Sequence, residues 1–147
     1  MPKFLLLIVL VTAQSIAHAS DCKPSFSETL GNNWMPEAPY KVDVGEGLLI
    51  YGRILSSINC TPVANARIEH WQSGADGEYH DEQRAYMYSD KNGNYRFNTI
   101  WPGLRHIHFI ISAEGYQELS THWRWKDFDS KTDKSEFDII LRPSKPE

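Results

Sequence analysis

The chain has 147 residues, a formal net charge of −4 at pH 7 and 12% aromatic residues. The acidic balance argues against a nucleic-acid partner, because such proteins neutralise phosphates with clustered Lys and Arg side chains. The aromatic content argues against an intrinsically disordered chain, because it supplies apolar surface for a core.

Residues 1–19 have the pattern of a secretory signal peptide. Lys3 makes a short basic start, the apolar run FLLLIVLV follows, and Ala17 and Ala19 stand at the spacing that a signal peptidase recognises. The run is too short to span a bilayer comfortably, so we predict cleavage, with an uncleaved anchor as the alternative. The mature chain of about 128 residues would be secreted or periplasmic, without a membrane partner, and long enough for one domain.

The sequence contains two cysteines, Cys22 and Cys60. An even count in an exported chain predicts a disulfide, which here would pin the start of the mature protein to its body. The alternative is a pair of unrelated free thiols.

After the signal peptide, the pattern divides the chain into three parts. Residues 20–46 are rich in proline and have no period, so we predict an irregular segment. Residues 47–142 contain seven short runs typical of strands, with a turn signal about every eight to twelve residues. We predict residues 143–147 to be a loose tail.

No stretch has convincing helical periodicity, so we predict an all-β fold, an antiparallel β-sandwich of about seven strands. The residues between the runs, including 73–83 and 126–135, are polar and are predicted to be loops. The predicted strands are residues 48–55, 66–72, 84–89, 95–100, 105–112, 118–125 and 136–142.

Part of this pattern is also typical of β-sandwich domains that are not enzymes. The runs GRILSSINCTPVANARIEHW, SDKNGNYRFNTIWPG and ISAEGY resemble prealbumin-like or carboxypeptidase-regulatory-like modules. That resemblance implies a binding or scaffold domain without a metal, and it is one alternative to an enzyme.

Two histidines, His106 and His108, stand one residue apart in a predicted strand. A strand places alternate residues on one face, so the two imidazoles should lie side by side, with Ile107 and Phe109 on the other face. By itself, the pair indicates either two ligands of one metal or two polar residues on the wet face of a sheet.

A longer ordered set of motifs resembles the intradiol ring-cleavage dioxygenases of the catechol and protocatechuate type. The set contains IEHWQ, GEY, SDKNGNYRFNTIWPG, HIHF and GYQELSTHW, and it extends over roughly residues 47–129. The signal peptide and the NCTPV run look most like the small secreted members. The resemblance implies that Tyr79, His106 and His108 bind non-haem Fe(III), a hard cation that takes anionic oxygen and imidazole ligands.

The same resemblance implies the reaction and the partners. A small aromatic diol would chelate the ferric ion through both hydroxyls, and O2 would cleave the ring between the hydroxyl-bearing carbons, giving a muconate-type diacid. Many relatives form oligomers, so a homo-oligomer is an option.

The sequence departs from the family pattern at one place. The family has a second ligand tyrosine between the PG turn and HIHF, but here only Leu104 and Arg105 separate Gly103 from His106. Tyr86, which falls where relatives carry an active-site arginine, is a candidate replacement. Another outcome is a metal-binding but catalytically divergent relative, or one that has lost the metal.

Four other residues lie in or near these motifs. His122 falls where relatives have a glutamine, and as a third nitrogen ligand it would suit copper or zinc as well as iron. Arg105 lies near the place of a substrate-side arginine, but on the strand face opposite to His106. His70 and His80 match no ligand position, and we expect both at the surface.

Overall fold

The computed structural model of the protein describes residues 22–31, 33–125 and 132–145. The predicted signal peptide, residues 1–19, lies outside these residues, as do residues 126–131 of the predicted charged loop. Within the described part of the chain, no helix is long and apolar enough to cross a membrane.

Two facing β-sheets form the domain, which confirms the predicted all-β sandwich. One sheet has the order β4-β1-β7, with β8 also paired to β1, and the other has the order β3-β2-β5-β6. All pairings are antiparallel except those of β1 with β7 and β8, which are parallel. The strands of the described residues are β1 Leu48–Ser56, β2 Arg67–Ser73, β3 Tyr79–Tyr88, β4 Asn94–Thr99, β5 His106–Ser112, β6 Leu119–Arg124, β7 Lys134–Glu136 and β8 Ile139–Leu141.

Two strands differ from the sequence prediction. β3 begins at Tyr79, within the stretch predicted as a loop, because its first half lies at an exposed sheet edge and needs no apolar alternation. The last predicted strand is divided into β7 and β8. Between them, Phe137 N donates to Tyr51 O, and an Asp138 carboxylate oxygen accepts from Arg53 N, which interrupts the regular pairing with β1.

The core lies between the two sheets and is built from alternate strand positions. Ile107, Phe109 and Ile111 of β5 are fully buried against residues such as Ile50 and Phe97 of the opposite sheet. The even-numbered residues of β5 therefore point to the outer face of their sheet, as the strand period predicted.

The prediction that His70 lies at the surface is wrong, because this residue is fully buried. It shares the inward face of β2 with Ile68, and its ring stacks on Phe97 with centroids 3.9 Å apart. Burial lowers the pKa of His70 from 6.5 to about 3, so the imidazole is neutral in the folded protein. Neither ring nitrogen has a hydrogen-bond partner among the described residues.

The described residues of the range 22–46, here called the N-terminal segment, lie outside the strands named above. The segment passes from β6, where Glu28 N donates to Ser120 O, along the outer face of the β3-β2-β5-β6 sheet to β3, where Lys41 N donates to Tyr86 O. A disulfide joins Cys22 to Cys60 with the Cα atoms 5.5 Å apart. Farther along, Trp34 Nε1 donates to Glu69 Oε1 at 2.9 Å. Because of this cover, Glu69 and Trp71 are buried although they point away from the core.

The end of the described chain is held to a turn. Ser144 N donates to Gly115 O at 2.9 Å, and Pro143 pairs with Tyr116. The start of the tail that we predicted to be loose is therefore hydrogen-bonded, and residues 146–147 lie outside the described residues.

Candidate metal centre

Three polar side chains converge on the outer face of the β3-β2-β5-β6 sheet. Tyr79 Oη lies 3.4 Å from His106 Nε2 and 3.2 Å from His108 Nε2, and the two Nε2 atoms are 3.0 Å apart. The two histidines share one face of β5, and Tyr79 pairs with Ser73, at the end of β2 that lies beside the start of β5. The register thus brings together three residues that the sequence predicted as one site.

The separations of these three atoms match one shared metal ion. Donors about 2.0–2.1 Å from an ion, at tetrahedral or octahedral angles, lie about 2.9–3.4 Å from one another. The measured separations of 3.0–3.4 Å fall in that range. His, Cys, Asp and Glu side chains of the described residues form no group of three that could hold a metal, so a site here needs the phenol oxygen.

Two tight turns fix the separation of Tyr79 and His106. The turn before β5 lies on the turn before β3, where Gly103 N donates to Gly74 O at 2.9 Å. A Cβ atom at Gly103 would lie 2.7–2.8 Å from backbone atoms of residues 74–77, so only glycine allows this approach. The two turns act as one rigid support.

His106 has the tautomer that a metal ligand needs. Its Nδ1 lies 2.8 Å from Leu104 O, and a carbonyl oxygen only accepts, so Nδ1 carries the proton. The lone pair of Nε2 is then directed toward Tyr79 and His108.

His108 is buried beneath the N-terminal segment. Its ring stacks on Trp71, with centroids 5.0 Å apart and an interplanar angle of 18°. Burial first, and then the neighbouring His106, lowers the pKa of His108 from 6.5 to about 4. The imidazole is therefore neutral near pH 7, the form that binds a metal.

Tyr79 is half-buried, and burial raises the pKa of its phenol, while the positive charge of Arg84 opposes that rise. The hydroxyl is protonated in the metal-free protein. Binding as a phenolate therefore releases a proton to solvent.

His122 lies opposite His108 in the β5–β6 pairing, but its nitrogens have other partners. Nδ1 is 2.6 Å from a carboxylate oxygen of Glu28, and Nε2 accepts from Arg124 Nε at 3.3 Å. The structure therefore places His122 beside the centre without bringing either nitrogen to the three donors.

The structure does not bring Tyr86 to the donors in any described contact. Its ring lies against Tyr40 and Tyr88, and the Arg67 guanidinium covers it at 4.3 Å. Tyr86 therefore belongs to an aromatic cluster farther along the same sheet face.

Arg105 lies in the turn before β5 and not in the strand. Its φ of 62° is in the left-handed region, and its N donates to Pro102 O at 3.0 Å. The guanidinium carbon lies 5.6 Å from the centre of the Trp125 ring. This contact directs the side chain along the aromatic residues at the end of β6.

Sequence reasoning missed two residues that contact His108. Glu28 and Gly31 of the N-terminal segment both lie against its ring. No periodic pattern or motif marks either position. The signal that bears on them is the cysteine pair, which predicted that this segment is fastened to the domain.

A cavity of about 710 Å³ lies next to the centre, at the β6 edge of the sandwich. Its lining includes His122 and Arg124, together with aromatic side chains from three parts of the chain: Phe26, Trp123, Trp125 and Phe137. Tyr79, His106 and His108 do not line it. The donors face the outer side of the sheet, where Tyr79 and His106 are half-buried and accessible.

Sequence comparison finds relatives among ring-cleaving enzymes. No protein-family model matches the chain. The 6-chlorohydroxyquinol 1,2-dioxygenase of Cupriavidus pinatubonensis is 30% identical over 110 residues, which cover 53% of this chain and 39% of the relative. The hydroxyquinol 1,2-dioxygenase of a Rhizobium species is 29% identical over 157 residues, covering 80% of this chain and 53% of the relative. This chain thus spans about two fifths to half of the length of these relatives.

Solved structures share the fold. The dioxygenase domain of a dioxygenase and carbohydrate-binding fusion from Streptomyces sp. SirexAA-E has a TM-score of 0.73 and 21% identity, covering 83% of this chain and 100% of that domain. The 3-chlorocatechol 1,2-dioxygenase of Rhodococcus opacus has a TM-score of 0.71 and 19% identity, covering 82% and 73%. In sequence this chain is similar to ring-cleaving 1,2-dioxygenases, and it shares their fold, in agreement with the resemblance in the motifs.

Proposed function

We propose that the protein is a non-haem Fe(III)-dependent dioxygenase that cleaves a catechol-type ring between its two hydroxyl-bearing carbons. The observation that carries the proposal is the convergence of Tyr79 Oη, His106 Nε2 and His108 Nε2 within 3.4 Å of one another. One phenolate and two imidazoles form a donor set that suits a ferric ion. The relatives named above support a dihydroxy- or trihydroxybenzene as the substrate class.

When bound, the ferric ion would supply the Lewis acidity that a chelating diol requires and the redox chemistry with O2. The chain's own part is to hold the donors. The Leu104 carbonyl orients His106, the paired turns fix Tyr79, and the N-terminal segment covers the Nδ1 edge of the His108 ring. Tyr79 and His106 are only half-buried, so a substrate would approach the centre from their exposed side.

The donor set favours iron over copper or zinc. A site with three histidines would suit those metals, but the nitrogens of His122 lie on Glu28 and Arg124. The set at the centre is therefore one phenol and two imidazoles.

A second candidate function is metal binding without ring cleavage. It is favoured by the two-residue link between Gly103 and His106, because no second tyrosine of the described residues contacts the donors. The alignment with the Rhizobium relative also supports shorter loops in this chain. It has 157 positions but includes only 80% of this chain's residues, so part of the relative is aligned with gaps in this chain. Without a second tyrosinate to accept it, the proton of a diol that chelates the metal would have to pass to solvent.

We also propose that the protein works outside the cytoplasm. The disulfide between Cys22 and Cys60 supports an oxidising compartment, and the apolar run before it supports export. Intact-mass analysis of the exported protein should give a chain that starts at Ser20, and a chain that retains residues 1–19 would contradict this.

Ring cleavage is tested with the iron-loaded mature protein, catechol or hydroxyquinol, and ¹⁸O2. The proposal predicts O2 uptake and a diacid that carries one labelled oxygen on each new carboxyl group. A product cleaved beside the hydroxyl pair would contradict the proposed chemistry. An iron-loaded protein that consumes no O2 would select the second candidate function.

A further inference from the structure

We propose that Glu28 is a positioning residue for His108, which accepts the Nδ1 proton of that histidine and so presents Nε2 to the metal. The inference rests on the proposed metal centre. It adds to the site a residue of the N-terminal segment, which contributes none of the three donors.

The first observation is a pair of buried atoms that face each other. His108 Nδ1 and Glu28 Oε1 lie 3.8 Å apart. Both are buried, and neither has a hydrogen-bond partner among the described residues. An unpaired buried polar atom is costly, so each needs the other. A movement of about 1 Å would close the gap to hydrogen-bond length.

The second observation is that Glu28 is already held in place. Its other carboxylate oxygen accepts from His122 Nδ1 at 2.6 Å, and its backbone N donates to Ser120 O at 3.0 Å. Arg124 donates in turn to His122 Nε2, which fixes the His122 ring. One carboxylate oxygen is therefore committed to His122, and the other is aimed at His108.

The third observation is the close fit of the segment to the ring. A Cβ atom at Gly31 would overlap the His108 ring atoms Nδ1 and Cε1, so the backbone approaches that edge as closely as glycine permits. Trp71 stacks on a face of the same ring. His108 is thus confined by its surroundings, with Nδ1 toward the segment and Nε2 toward Tyr79 and His106.

Metal-binding histidines usually donate their other N–H to a carboxylate or a carbonyl oxygen, which fixes the tautomer and makes the ligand more basic. His106 uses the Leu104 carbonyl for this purpose. His108 has no such carbonyl contact among the described residues, and Glu28 is the acceptor within reach. The two ligands are therefore oriented by different partners, one of them charged.

The decisive variant is Glu28→Gln. Both histidines beside Glu28 donate an N–H to it, and one amide oxygen replaces only part of that accepting capacity. We expect the ferric affinity, measured by competition with a chelator, to fall about 10- to 100-fold. The visible absorption band of the iron-loaded protein should shift.

Glu37→Gln is the matched control, because Glu37 lies on the same segment with its side chain exposed. It should bind iron like the wild type. An unchanged ferric affinity and spectrum in Glu28→Gln would overturn the positioning role and leave the proposed function intact. A wild-type protein that binds no Fe(III) would overturn both.

A measurement without substitution covers the case in which Glu28→Gln fails to fold. Gallium(III) serves as a diamagnetic stand-in for the ferric ion, and ¹⁵N-histidine NMR reads the tautomer of each ring. The proposal predicts that His108 keeps a slowly exchanging proton on Nδ1 in the loaded wild-type protein. A His108 ring protonated on Nε2, or one whose Nδ1 proton exchanges freely, would overturn it.

Discussion

The Nε2 atoms of His106 and His108 lie 3.0 Å apart, with the two rings nearly perpendicular at 87°. Burial lowers the pKa of His108 to about 4, so the His108 ring of this pair is neutral near pH 7. Tyr79 Oη completes a triangle with both nitrogens. The proposed metal ion would account for the close approach of these three polar groups to one another.

Removing either histidine should abolish tight iron binding. His106→Ala and His108→Ala each delete one of three donors, so we expect less than one tenth of the wild-type iron content after reconstitution and gel filtration. His80→Ala is the control, because His80 is exposed and paired with Asp76. Equal iron content in all three variants would place the metal elsewhere.

A methyl group at Gly103 should disturb the centre from outside it. The added Cβ would meet backbone atoms of the turn before Tyr79, which cannot move aside as a flexible side chain can. We expect Gly103→Ala to destabilise the fold by about 1–3 kcal/mol and to weaken iron binding. Leu104→Ala removes an exposed side chain from the same turn and should do neither. Urea unfolding with iron titration compares the two, and wild-type behaviour of Gly103→Ala would contradict the rigid support.

Breaking the disulfide should destabilise the fold and loosen the N-terminal segment. Cys22 and Cys60 are 38 residues apart in sequence, for which loop entropy gives a loss of about 3–4 kcal/mol. The Cys22→Ser/Cys60→Ser variant should unfold at lower urea concentration and exchange the amide hydrogens of residues 22–46 faster. Unchanged exchange there would show that the segment is held without the disulfide.

The buried His70 should make the domain sensitive to acid. Its pKa is lowered to about 3 in the fold, so between pH 6.5 and that value the unfolded chain binds a proton that the folded chain does not. Proton binding by the unfolded chain therefore lowers the free energy of unfolding as the pH falls through that range.

His70→Leu removes this proton-binding group from the unfolded chain and two unpartnered buried nitrogens from the folded one. We expect the free energy of unfolding to rise by about 1 kcal/mol at pH 7, and by about 2 kcal/mol more at pH 5. Urea titrations of both proteins at the two pH values measure this difference. A variant that gains nothing between pH 7 and pH 5 would mean that His70 is not buried as a neutral ring.

The sequence predicted the parts of the fold and site that depend on local period and on motifs. Alternation along β5 predicted that His106 and His108 share a face, and the structure has them there. The resemblance of the GEY and HIHF motifs to the dioxygenase family implied Tyr79 as the partner of the two histidines, and the sheet register brings the three together. The shared face of the two histidines follows from strand geometry, and the assignment of Tyr79 follows from the family motifs.

The remaining features depend on contacts that no local pattern encodes. Glu28 lies 80 positions before His108 in the sequence and reaches it from a segment without period, through a route set by the disulfide and the sheet surface. His70 was expected at the surface, and this was wrong because the polar residues at 69, 70 and 72 obscure which face of β2 points inward. Tyr86 has the right residue type for a ligand, but its aromatic neighbours hold it in another cluster.

The most direct test of the metal centre is the visible spectrum of the iron-loaded protein, compared between wild type, Tyr79→Phe and Tyr86→Phe. A phenolate on ferric iron gives a strong charge-transfer band, so the wild type should be coloured. Tyr79→Phe should lose the band, and Tyr86→Phe should keep it, because the described contacts of Tyr86 lie away from the donors. A colourless wild-type protein, or a band that survives in Tyr79→Phe, would contradict the proposed centre.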